Sequence, residues 1–535
     1  MPASWSTWSM RPDPSVTTSP IRPGSPLRTL LMSNRLAAAG IGVLAVAVGV
    51  AAGHLVAGLT EPATSPVLVV GSTVIDLTPT PLKEWAIARF GTHDKTVLVG
   101  SVLAGVLVLA GVVGLLARRR LRYGATLLLE LVGVPAGAAL ARPGASAADV
   151  LPSLAAAGAG LGSLAGLVRA GARAAPPHAD GGPSRRGVLV AAGVLGAAAV
   201  TMAGAGRWIA AYRSRTTVVD LPAPADPAPP LPPGLEQRVA GISAFRTPTD
   251  DFYRVDTRLT LPIVDADGWS LTIDGDVERE VRLGFADLLA MPLVERDITL
   301  TCVSNEVGGS YLGSARWLGV RLTDLLDLAG IAGTHADQIL STDVDGMTIS
   351  TPLAAATDGR DAMIAVGMNG RSLTREHGFP ARMVVPGLYG FVSACKWITR
   401  MTLTTYAEQE AYWTQRDWAT DAPVKVSSRI DTPRPLATID AGRTVIGGVA
   451  WAQHRGGIDR VEVRVDGGAW QPARLGPSAG EDYWRQWYLP WTAEPGRHAL
   501  AVRAFDGAGD AQTAVRTTPF PDGSSGVQQI VVTVR

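Results

Sequence analysis

Two cysteines are the only thiols in this chain of 535 residues, and one of them is placed where it could bind a ligand. Cys302 closes an alternating run, RDITLTCV (296–303), and a polar turn follows it. A thiolate at the end of a strand can reach a metal or cofactor while the strand holds its backbone rigid. A lone cysteine is more often a buried structural residue, and a Cys302–Cys395 disulfide is a third alternative. This position alone leaves all three open.

The residues around Cys302 predict an α+β domain over residues 245–425. Short strands and helices are interleaved in it: 269–277, 296–303 and 381–387 as strands, 285–292 and 321–330 as helices. The last helix, RLTDLLDLAG, has apolar residues at helical spacing. The absence of a regular βαβ repeat favours an α+β fold.

The preceding part of the chain has a different composition. It is rich in Ala, Gly, Leu and Val and poor in acids. A bilayer crossing takes about 20 apolar residues. Four segments meet that requirement, and a fifth, rich in small residues, comes close: 36–57, 96–117, 122–141, 149–168 and 187–207. The sequence therefore predicts a transmembrane helical bundle at 36–210, after a cytoplasmic tail at 1–35.

Basic residues between these segments indicate the orientation. Arginines cluster before the first span, between the second and third, and between the fourth and fifth: Arg22, Arg28, Arg35, Arg118, Arg119, Arg120, Arg122, Arg169, Arg173, Arg185 and Arg186. The positive-inside rule places these clusters in the cytoplasm, so the C-terminal half is expected outside the cytoplasmic membrane. SRRGVLVAAG (184–193) also resembles a twin-arginine export motif; ordinary flanking charge is the alternative.

Residues 211–244 predict a linker, because seven of the fourteen residues in LPAPADPAPPLPPG (221–234) are proline. Such a segment is extended and semi-rigid, and it is expected to hold the next domain away from the membrane. His54 and Glu130 lie inside predicted spans, where ionisable residues are functional candidates. Each stands alone, so a structural role is the simpler interpretation.

Residues 426–535 predict a β-sandwich. Short alternating runs are separated by turns, as where Val461, Val463 and Val465 precede the turn at Asp466. Several such runs within about 100 residues are typical of this fold. The tryptophans of the region are expected in its core or at an interface: Trp470, Trp484, Trp487 and Trp491.

Four segments have the most specific pattern in the chain: DFYRVDTRLTLP, ITLTCVSNEVGG, SARWLGVRLTDLL and MNGRSLTREHGFPARMVVPGLYGFVSACKWI. In this order, over about residues 245–535, they resemble the sulfite oxidase family of molybdenum enzymes. The resemblance implies an α+β molybdopterin domain, followed by an immunoglobulin-like domain that often makes a dimer contact. It also implies a molybdenum–molybdopterin cofactor, with Cys302 as the single protein thiolate on molybdenum, a ligand that suits a soft metal site.

The same resemblance implies which residues bind the cofactor: Phe252, Tyr253, Arg254, Cys302, Arg316, Asp343, His377, Arg382, Ser393 and Lys396. Phe252, Tyr253 and Arg254 match a segment that lines the pterin, and His377 and Arg382 match contacts in the HGFPAR motif. A guanidinium suits phosphate oxygens. Ser393 and Lys396 match a loop over the pterin end, Asp343 an acid on the pterin ring, and Arg316 a further contact. For each, a surface ion pair or a local cap is the alternative.

The implied chemistry is oxygen-atom transfer to or from a small oxo compound. Sulfite oxidases carry arginines just after the metal-binding cysteine, where this chain has Asn305 and Glu306, and a carboxylate would repel sulfite. The family's active-site tyrosine is missing from GMTISTPL (346–353), whereas YGF (389–391) resembles periplasmic methionine-sulfoxide reductase subunits. We therefore expect sulfoxide reduction rather than sulfite oxidation.

Partners follow from what the sequence lacks. No haem, iron–sulfur or dinucleotide motif occurs, so a separate electron carrier, quinone-linked or cytochrome-type, is expected. With 48 basic and 47 acidic residues and no nucleic-acid motif, nucleic acid is not expected as a partner. One alternative is a binding protein that has lost the cofactor, but the presence of Cys302, His377 and Arg382 argues against this loss. A second alternative is a transporter, but the predicted spans lack the broken helices that a transport path would show.

Overall fold

The computed structural model describes residues 26–79, 94–142, 145–173, 185–213 and 219–535, with residues 82, 85, 89 and 90 in addition. Three regions follow one another: a helical region, an α+β region and a region of two further β-sheets. The tail before residue 26, including Arg22, residues 214–218 of the expected linker and Ser184 of the twin-arginine segment lie outside the described residues.

The helical region contains helices α1 Pro26–Leu59, α2 Pro66–Leu77, α3 Asp94–Arg119, α4 Leu121–Leu140, α5 Leu151–Arg173 and α6 Arg185–Arg213. All but α2 are long and apolar enough to cross a membrane, by length and composition, and they coincide with the five predicted segments. The short helix α2 was not predicted. Small residues allow the close crossing of α1 and α3, where a Cβ added at Gly42 or Gly114 would clash with the backbone of the other helix.

The two ionisable residues of the predicted spans have different surroundings. His54 forms a hydrogen bond through Nδ1 with the Ser65 hydroxyl, 3.0 Å away. This contact ties the end of α1 to the start of α2, as a structural role would require. Glu130 is exposed on α4.

The α+β region contains strands β1 Ser270–Gly275, β2 Val281–Gly284, β3 Leu293–Thr301, β4 Leu312–Arg321, β5 Gln338–Asp343, β6 Thr348–Pro352, β7 Met363–Met368, β8 Arg371–Ser372, β9 Arg382–Val384 and β10 Ile398–Thr404. Its helices are α7 Phe285–Ala290, α8 Leu322–Ala329, α9 Leu353–Thr357 and α10 Gly390–Ser393. The three predicted strands fall on β1, β3 and β9, and the two predicted helices on α7 and α8. The element predictions are therefore confirmed.

Two sheets divide these strands. One has the order β2-β1-β10-β5-β6, and the other the order β3-β4-β7-β8, with β9 paired to β7. The pairing is antiparallel except between β1 and β10. Apolar side chains such as Leu271, Leu325 and Met401 fill the core with no exposed surface. The amphipathic pattern of α8 thus buries Leu322, Leu325 and Leu326 in the core, as its sequence predicts.

The C-terminal strands are β11 Ser427–Thr432, β12 Thr438–Ile439, β13 Gly442–Trp451, β14 Ile458–Val465, β15 Gln471–Pro472, β16 Arg474–Leu475, β17 Arg485–Ala493, β18 Gly496–Asp506 and β19 Gln528–Val534. They form two sheets, β11-β13-β17-β16 and β12-β19-β18-β14-β15, around a shared apolar core. Val461, Val463 and Trp487 are fully buried there. Trp484 packs instead in the α+β core, and its indole N–H donates to the Phe245 carbonyl at 2.7 Å.

The proline-rich segment differs from its expected role. It does not hold the α+β region away from the helices. It lies along β3, where the Ala225 N–H donates to the Leu293 carbonyl at 2.8 Å and the Glu295 N–H donates to the Asp226 carbonyl at 2.9 Å. The Asp226 carboxylate also pairs with Arg296 at 2.6 Å. Proline content predicts an extended backbone, but an extended backbone can equally well add to the edge of a sheet.

Candidate cofactor site

Cys302 lies at the end of β3, one residue after its last paired position. The β3–β4 ladder runs without a break from Leu293 opposite Val320 to Thr301 opposite Leu312, and it fixes the backbone before the cysteine. The Cys302 sulfur accepts the Ser304 N–H at 3.4 Å. Burial raises the pKa of the Cys302 thiol, although Ser304 and the charge of Lys396 act in the opposite direction. Both cysteines are free, so the disulfide alternative is not realised.

The HGFPAR motif forms a tight turn beside this cysteine. Gly378 has φ of +105°, and a Cβ there would lie 3.0 Å from the Arg382 Cβ and 3.1 Å from the Lys396 Cβ. Only glycine fits both the left-handed backbone and the narrow space. The backbones of Arg382 and Lys396 are themselves joined by an antiparallel bridge. The two cations therefore emerge side by side, although 13 residues separate them in the sequence.

Arg382 is a buried cation without an acidic partner. Its side chain donates to two carbonyl oxygens, of His377 at 3.3 Å and of Met383 at 3.5 Å, and its guanidinium lies 5.1 Å from the Trp317 ring centre. Its residue is only 5% exposed, and no carboxylate of the described residues pairs with it. Burial lowers the pKa of Arg382 to about 10. A buried charge is costly unless an opposite charge compensates it, so this guanidinium is suited to bind an anion.

Lys396 is the second cation of the site. Its ammonium lies 3.2 Å from Asp256 Oδ2, donates to the Glu376 carbonyl at 3.3 Å and lies 4.5 Å from the Trp397 ring centre. Burial lowers the pKa of Lys396 to about 8 in spite of the acid. Burial also opposes ionisation of Asp256, but Lys396, Arg254 and Lys95 outweigh it and hold the pKa of that carboxyl well below its usual range.

Aromatic rings close one side of the pocket. Phe252 stacks on Tyr253 at 5.2 Å between centres, and it meets the His377 ring edge-on at 5.5 Å. His377 Nε2 lies 3.0 Å from the Thr249 carbonyl, an acceptor only, so this nitrogen carries the proton. Burial lowers the pKa of His377 to about 4, and the imidazole is therefore neutral at pH 7. Gly313 makes room for Phe252, since a Cβ there would lie 2.8 Å from the ring.

Tyr253 connects the cations with the cysteine. Burial raises its pKa far above the usual value, the negative charge of a Cys302 thiolate acts in the same direction, and Arg382 opposes both. A Cβ at Gly390 would lie 3.8 Å from the Tyr253 hydroxyl and 3.7 Å from the Thr301 carbonyl. The phenol therefore remains protonated and lies close to the end of β3.

Three predicted residues lie at the edge of this pocket. Asp343 accepts hydrogen bonds from Arg258 and from the N–H groups of Asp345, at 2.9 Å, and Met347, at 3.1 Å, so it caps the turn after β5. The Ser393 hydroxyl donates to the carbonyls of Leu388 and Tyr389, just before its own short helix. Arg254 is exposed and pairs with Asp256 at 2.7 Å. Local structure already occupies these side chains.

Arg316 is not placed with the other predicted residues. It pairs with Asp297 on the neighbouring strand at 2.6 Å and with Glu295 at 3.5 Å, and it donates to the Pro229 carbonyl. Its neighbour Trp317 is the residue that faces Phe252 and Arg382. Because successive side chains of a strand point to opposite faces, Arg316 faces away from the pocket, and its predicted contact with the cofactor is corrected.

Residues that sequence reasoning missed complete the pocket. Asp256, Trp317 and Trp397 contact its cations, and Arg258 lies 5.2 Å from the Trp397 ring centre while it holds Asp343. Asp256 and Trp397 stand within the recognised segments DFYRVD and CKW, so a signal was present. Their pairing with residues up to 161 positions away was not readable from spacing.

The donor set fits an anionic cofactor with a soft metal. Arg382 and Lys396 can hold phosphate oxygens, the rings can pack on a flat heterocycle, and Cys302 offers one sulfur ligand at the end of a rigid strand. Arg382, above all, needs an anion that the described residues do not supply. These groups lie near enough to act on one another's charge: Tyr253 senses both Cys302 and Arg382, and Lys396 acts on Cys302.

Known proteins are similar in sequence to this region. Residues 258–413 match the oxidoreductase molybdopterin binding domain. Human mitochondrial sulfite oxidase is 32% identical over 306 residues, 48% of this chain and 55% of that protein. Sulfite oxidase of Arabidopsis thaliana is 29% identical over 294 residues, 46% and 74% of the two chains. Nitrate reductase [NADH] 1 of Oryza sativa subsp. japonica is 28% identical over 318 residues, 47% and 34%.

The chain spans about half the length of the first curated relatives that it matches. It contains a molybdopterin-binding oxidoreductase domain related to that of sulfite oxidase, with molybdenum–molybdopterin as the cofactor.

Proposed function

We propose that this chain is a membrane-anchored enzyme that reduces a small sulfoxide by oxygen-atom transfer, outside the cytoplasmic membrane. The observation that carries the enzymatic part is Arg382, a buried cation with no acidic partner among the described residues, in the pocket shared by Lys396 and Cys302. A protein that had lost its cofactor would gain stability by replacing such a charge.

The residues of the pocket divide the work of holding the cofactor. The Cys302 thiolate would bind molybdenum, Arg382 and Lys396 would hold the anionic end of the pterin, and Phe252 and Tyr253 would pack beside it. The bound cofactor supplies two-electron oxygen-atom transfer. The Tyr253 hydroxyl stays protonated because burial raises its pKa, so it can donate a hydrogen bond on the Cys302 side of the pocket. The apolar rings limit the access of water.

The substrate is proposed from the charge next to Cys302. The named relatives include sulfite oxidases and a nitrate reductase, so relatedness alone does not select the substrate. The Asn305 side chain accepts the Tyr311 N–H at 2.8 Å and shapes the turn, and Glu306 is exposed. Neither residue offers the positive charge that an anionic substrate such as sulfite would need. A neutral sulfoxide needs no such charge.

Contacts between the helices and the catalytic region support the proposed orientation. Lys95, at the start of α3, donates to the Arg258 carbonyl at 2.7 Å, and Arg142, after α4, pairs with Asp345 at 3.1 Å. Both lie at helix ends that the charge pattern assigns to the outer side. The arginines 118–122 lie at the opposite ends. A phosphatase reporter fused after residue 142 should be active and one fused after residue 120 inactive; the reverse pattern would contradict the orientation.

The C-terminal domain, the dimer and the electron donor complete the proposal. An immunoglobulin-like C-terminal domain is supported by two sheets of four and five strands around one core, and a homodimer through it follows from the resemblance alone. Electrons are proposed to come from a separate quinone-linked or cytochrome-type carrier. Light scattering of the purified chain tests the dimer, and reduction assays with each carrier class test the donor.

Molybdenum content tests the enzymatic proposal. Full-length wild type and Cys395→Ser should hold about one molybdenum per chain, whereas Cys302→Ser should lose it, since one thiolate binds the metal. Cys395 is the matched control because it is also buried and also a free thiol. Wild type supplied with an artificial reductant should then turn over sulfoxides. Wild type without molybdenum would overturn the enzymatic proposal, whereas turnover of sulfite alone would overturn only the substrate.

A further inference from the structure

A cluster of possible metal ligands lies where the two-sheet region meets the α+β region. His454 follows β13, and Glu481 and Asp482 precede β17. One ligand atom from each of the three residues lies within 4.8 Å of the other two. His454 Nδ1 and Asp482 Oδ1 are both buried, and neither has a hydrogen-bond partner among the described residues. Buried polar atoms without hydrogen-bond partners are costly unless a ligand or ion satisfies them.

We propose that His454, Glu481 and Asp482 bind a divalent metal ion of the Zn²⁺ type. Imidazole nitrogen and carboxylate oxygen are ordinary zinc ligands, and atoms bound to one tetrahedral zinc at about 2.1 Å lie roughly 3.4 Å from one another. Small movements of the side chains therefore bring the three atoms to a common ion. Glu481 is exposed, which gives the ion an entry path from solvent.

The other ring nitrogen of His454 faces a carboxylate. His454 Nε2 lies 3.5 Å from Asp358 Oδ2, at the end of α9 in the α+β region. Arg360 holds that carboxylate at 2.6 Å. In metal sites the ligating histidine usually donates its second ring N–H to a carboxylate or carbonyl, which fixes the ring and its tautomer. With Nε2 facing Asp358, Nδ1 is the ring nitrogen left to bind the ion, and it has no hydrogen-bond partner among the described residues.

Such an ion would join two loops of the C-terminal region and would thereby support the strand that bears Cys302. The Thr299 N–H of β3 donates to the Asp482 carbonyl at 2.9 Å, and the Trp484 N–H donates to the Thr299 hydroxyl at 2.8 Å. The three proposed ligands are not shared with the molybdenum pocket. The role is structural, and it does not depend on the proposed substrate.

A second histidine–acid pair in the same region shows what a saturated histidine looks like. His498 Nδ1 lies 2.6 Å from Asp466 Oδ2, and its Nε2 lies 2.8 Å from the Glu494 carbonyl. Both ring nitrogens are already paired. His498 therefore serves as the matched control for His454.

Zinc binding by the full-length chain tests the proposal. The molybdenum-loaded protein in detergent is stripped with a chelator and dialysed against Zn²⁺, and zinc per chain is measured by mass spectrometry. We expect one zinc in wild type and His498→Gln, and at least about tenfold weaker binding in His454→Gln and Asp482→Asn, since each removes one ligand. Zinc should also raise the Tm of wild type and His498→Gln, but not the Tm of His454→Gln or Asp482→Asn.

Zinc-free wild type, or undiminished binding in His454→Gln, would overturn the proposal. The molybdenum content and Tm of the zinc-free variants report whether they fold. If either buried variant fails that check, Glu481→Gln replaces it, because its exposed side chain can change without disturbing the core. Unchanged zinc binding in Glu481→Gln would then refute the site.

Discussion

Arg316 and Arg382 lie in the same sheet, on strands that flank β7, and both guanidinium groups are largely buried. Arg316 lies against two carboxylates, of Asp297 and Glu295, whereas Arg382 lies against carbonyl oxygens and a tryptophan ring. The pKa values follow this difference. The hydrogen bond to Asp297 raises the pKa of Arg316, while burial lowers the pKa of Arg382 to about 10.

The comparison distinguishes a structural arginine from a ligand-binding one. A charge that its own chain neutralises contributes to the fold and is lost only at a cost. A charge that the chain buries and leaves unneutralised costs folding free energy until an anion arrives. The first kind should therefore be sensitive to mutation in the apoprotein, and the second in the complex.

Replacing Arg382 should have the largest effect on the cofactor. Arg382→Met removes charge-assisted hydrogen bonds of about 1.5–3 kcal/mol, so the cofactor should bind roughly 100-fold more weakly. The cofactor-free variant should unfold at the same temperature as wild type or higher, since a buried unpaired charge is gone. Molybdenum per chain after dialysis and calorimetry of the apoprotein measure the two effects. A large fall in the Tm of the apoprotein would contradict the view that Arg382 is a ligand-binding rather than a structural arginine.

Replacing Arg316 should give the opposite result. Arg316→Met leaves the buried Asp297 carboxylate without its partner, which should lower the free energy of unfolding by about 2–3 kcal/mol. Molybdenum retention by the folded protein should remain that of wild type, because Arg316 faces away from the pocket. Denaturant unfolding measures the loss of stability, and metal analysis of the same preparation measures molybdenum retention. Loss of metal without loss of stability would restore Arg316 to the cofactor site.

These two arginines also show how far the sequence could predict the site. The strand alternation of β3 and the helical spacing of α8 predicted the elements, because each pattern is local. The resemblance pointed to Arg382 through HGFPAR, where Gly378 is required by the turn. Arg316 lies in an equally recognisable segment, but which face of β4 it occupies depends on pairing with Asp297 of β3. Such pairing is not visible in one segment.

Long-range contacts account for the other differences. The prolines of 221–234 predicted an extended chain, but not that the chain would pair with β3. The role of Asp256 depends on Lys396, 140 residues later, and on Lys95, 161 residues earlier. The short helix α2 lacks the length that identifies a span. Composition and periodicity thus predicted elements and regions, while the contacts among them required the fold.

Lys396 should make cofactor binding depend on pH in a way that Arg382 does not. Its pKa is lowered to about 8, so above that pH the lysine of the apoprotein is neutral and the anionic cofactor should bind up to about tenfold more weakly per pH unit. Over the same range the unfolded chain binds the extra proton, so the stability contributed by this group rises with pH. Molybdenum retention and apoprotein Tm between pH 7 and 9.5 should move in opposite directions. In Lys396→Met, both molybdenum retention and apoprotein Tm should become independent of pH over this range. If either still changed with pH, a group other than Lys396 would be responsible.

Lys95 should have the smallest effect, although it contacts the same acid as Lys396. It pairs with Asp256 at 3.2 Å, and its side chain is 37% exposed, against 11% for Lys396. Exposed ion pairs contribute below about 1 kcal/mol, and Asp256 keeps Lys396 and Arg254 in the variant. Lys95→Met should therefore change molybdenum retention less than about fivefold. A loss as large as that of Arg382→Met would mean that the helical region holds the pocket together. An exposed ion pair would then matter as much to cofactor binding as a buried, unpaired cation.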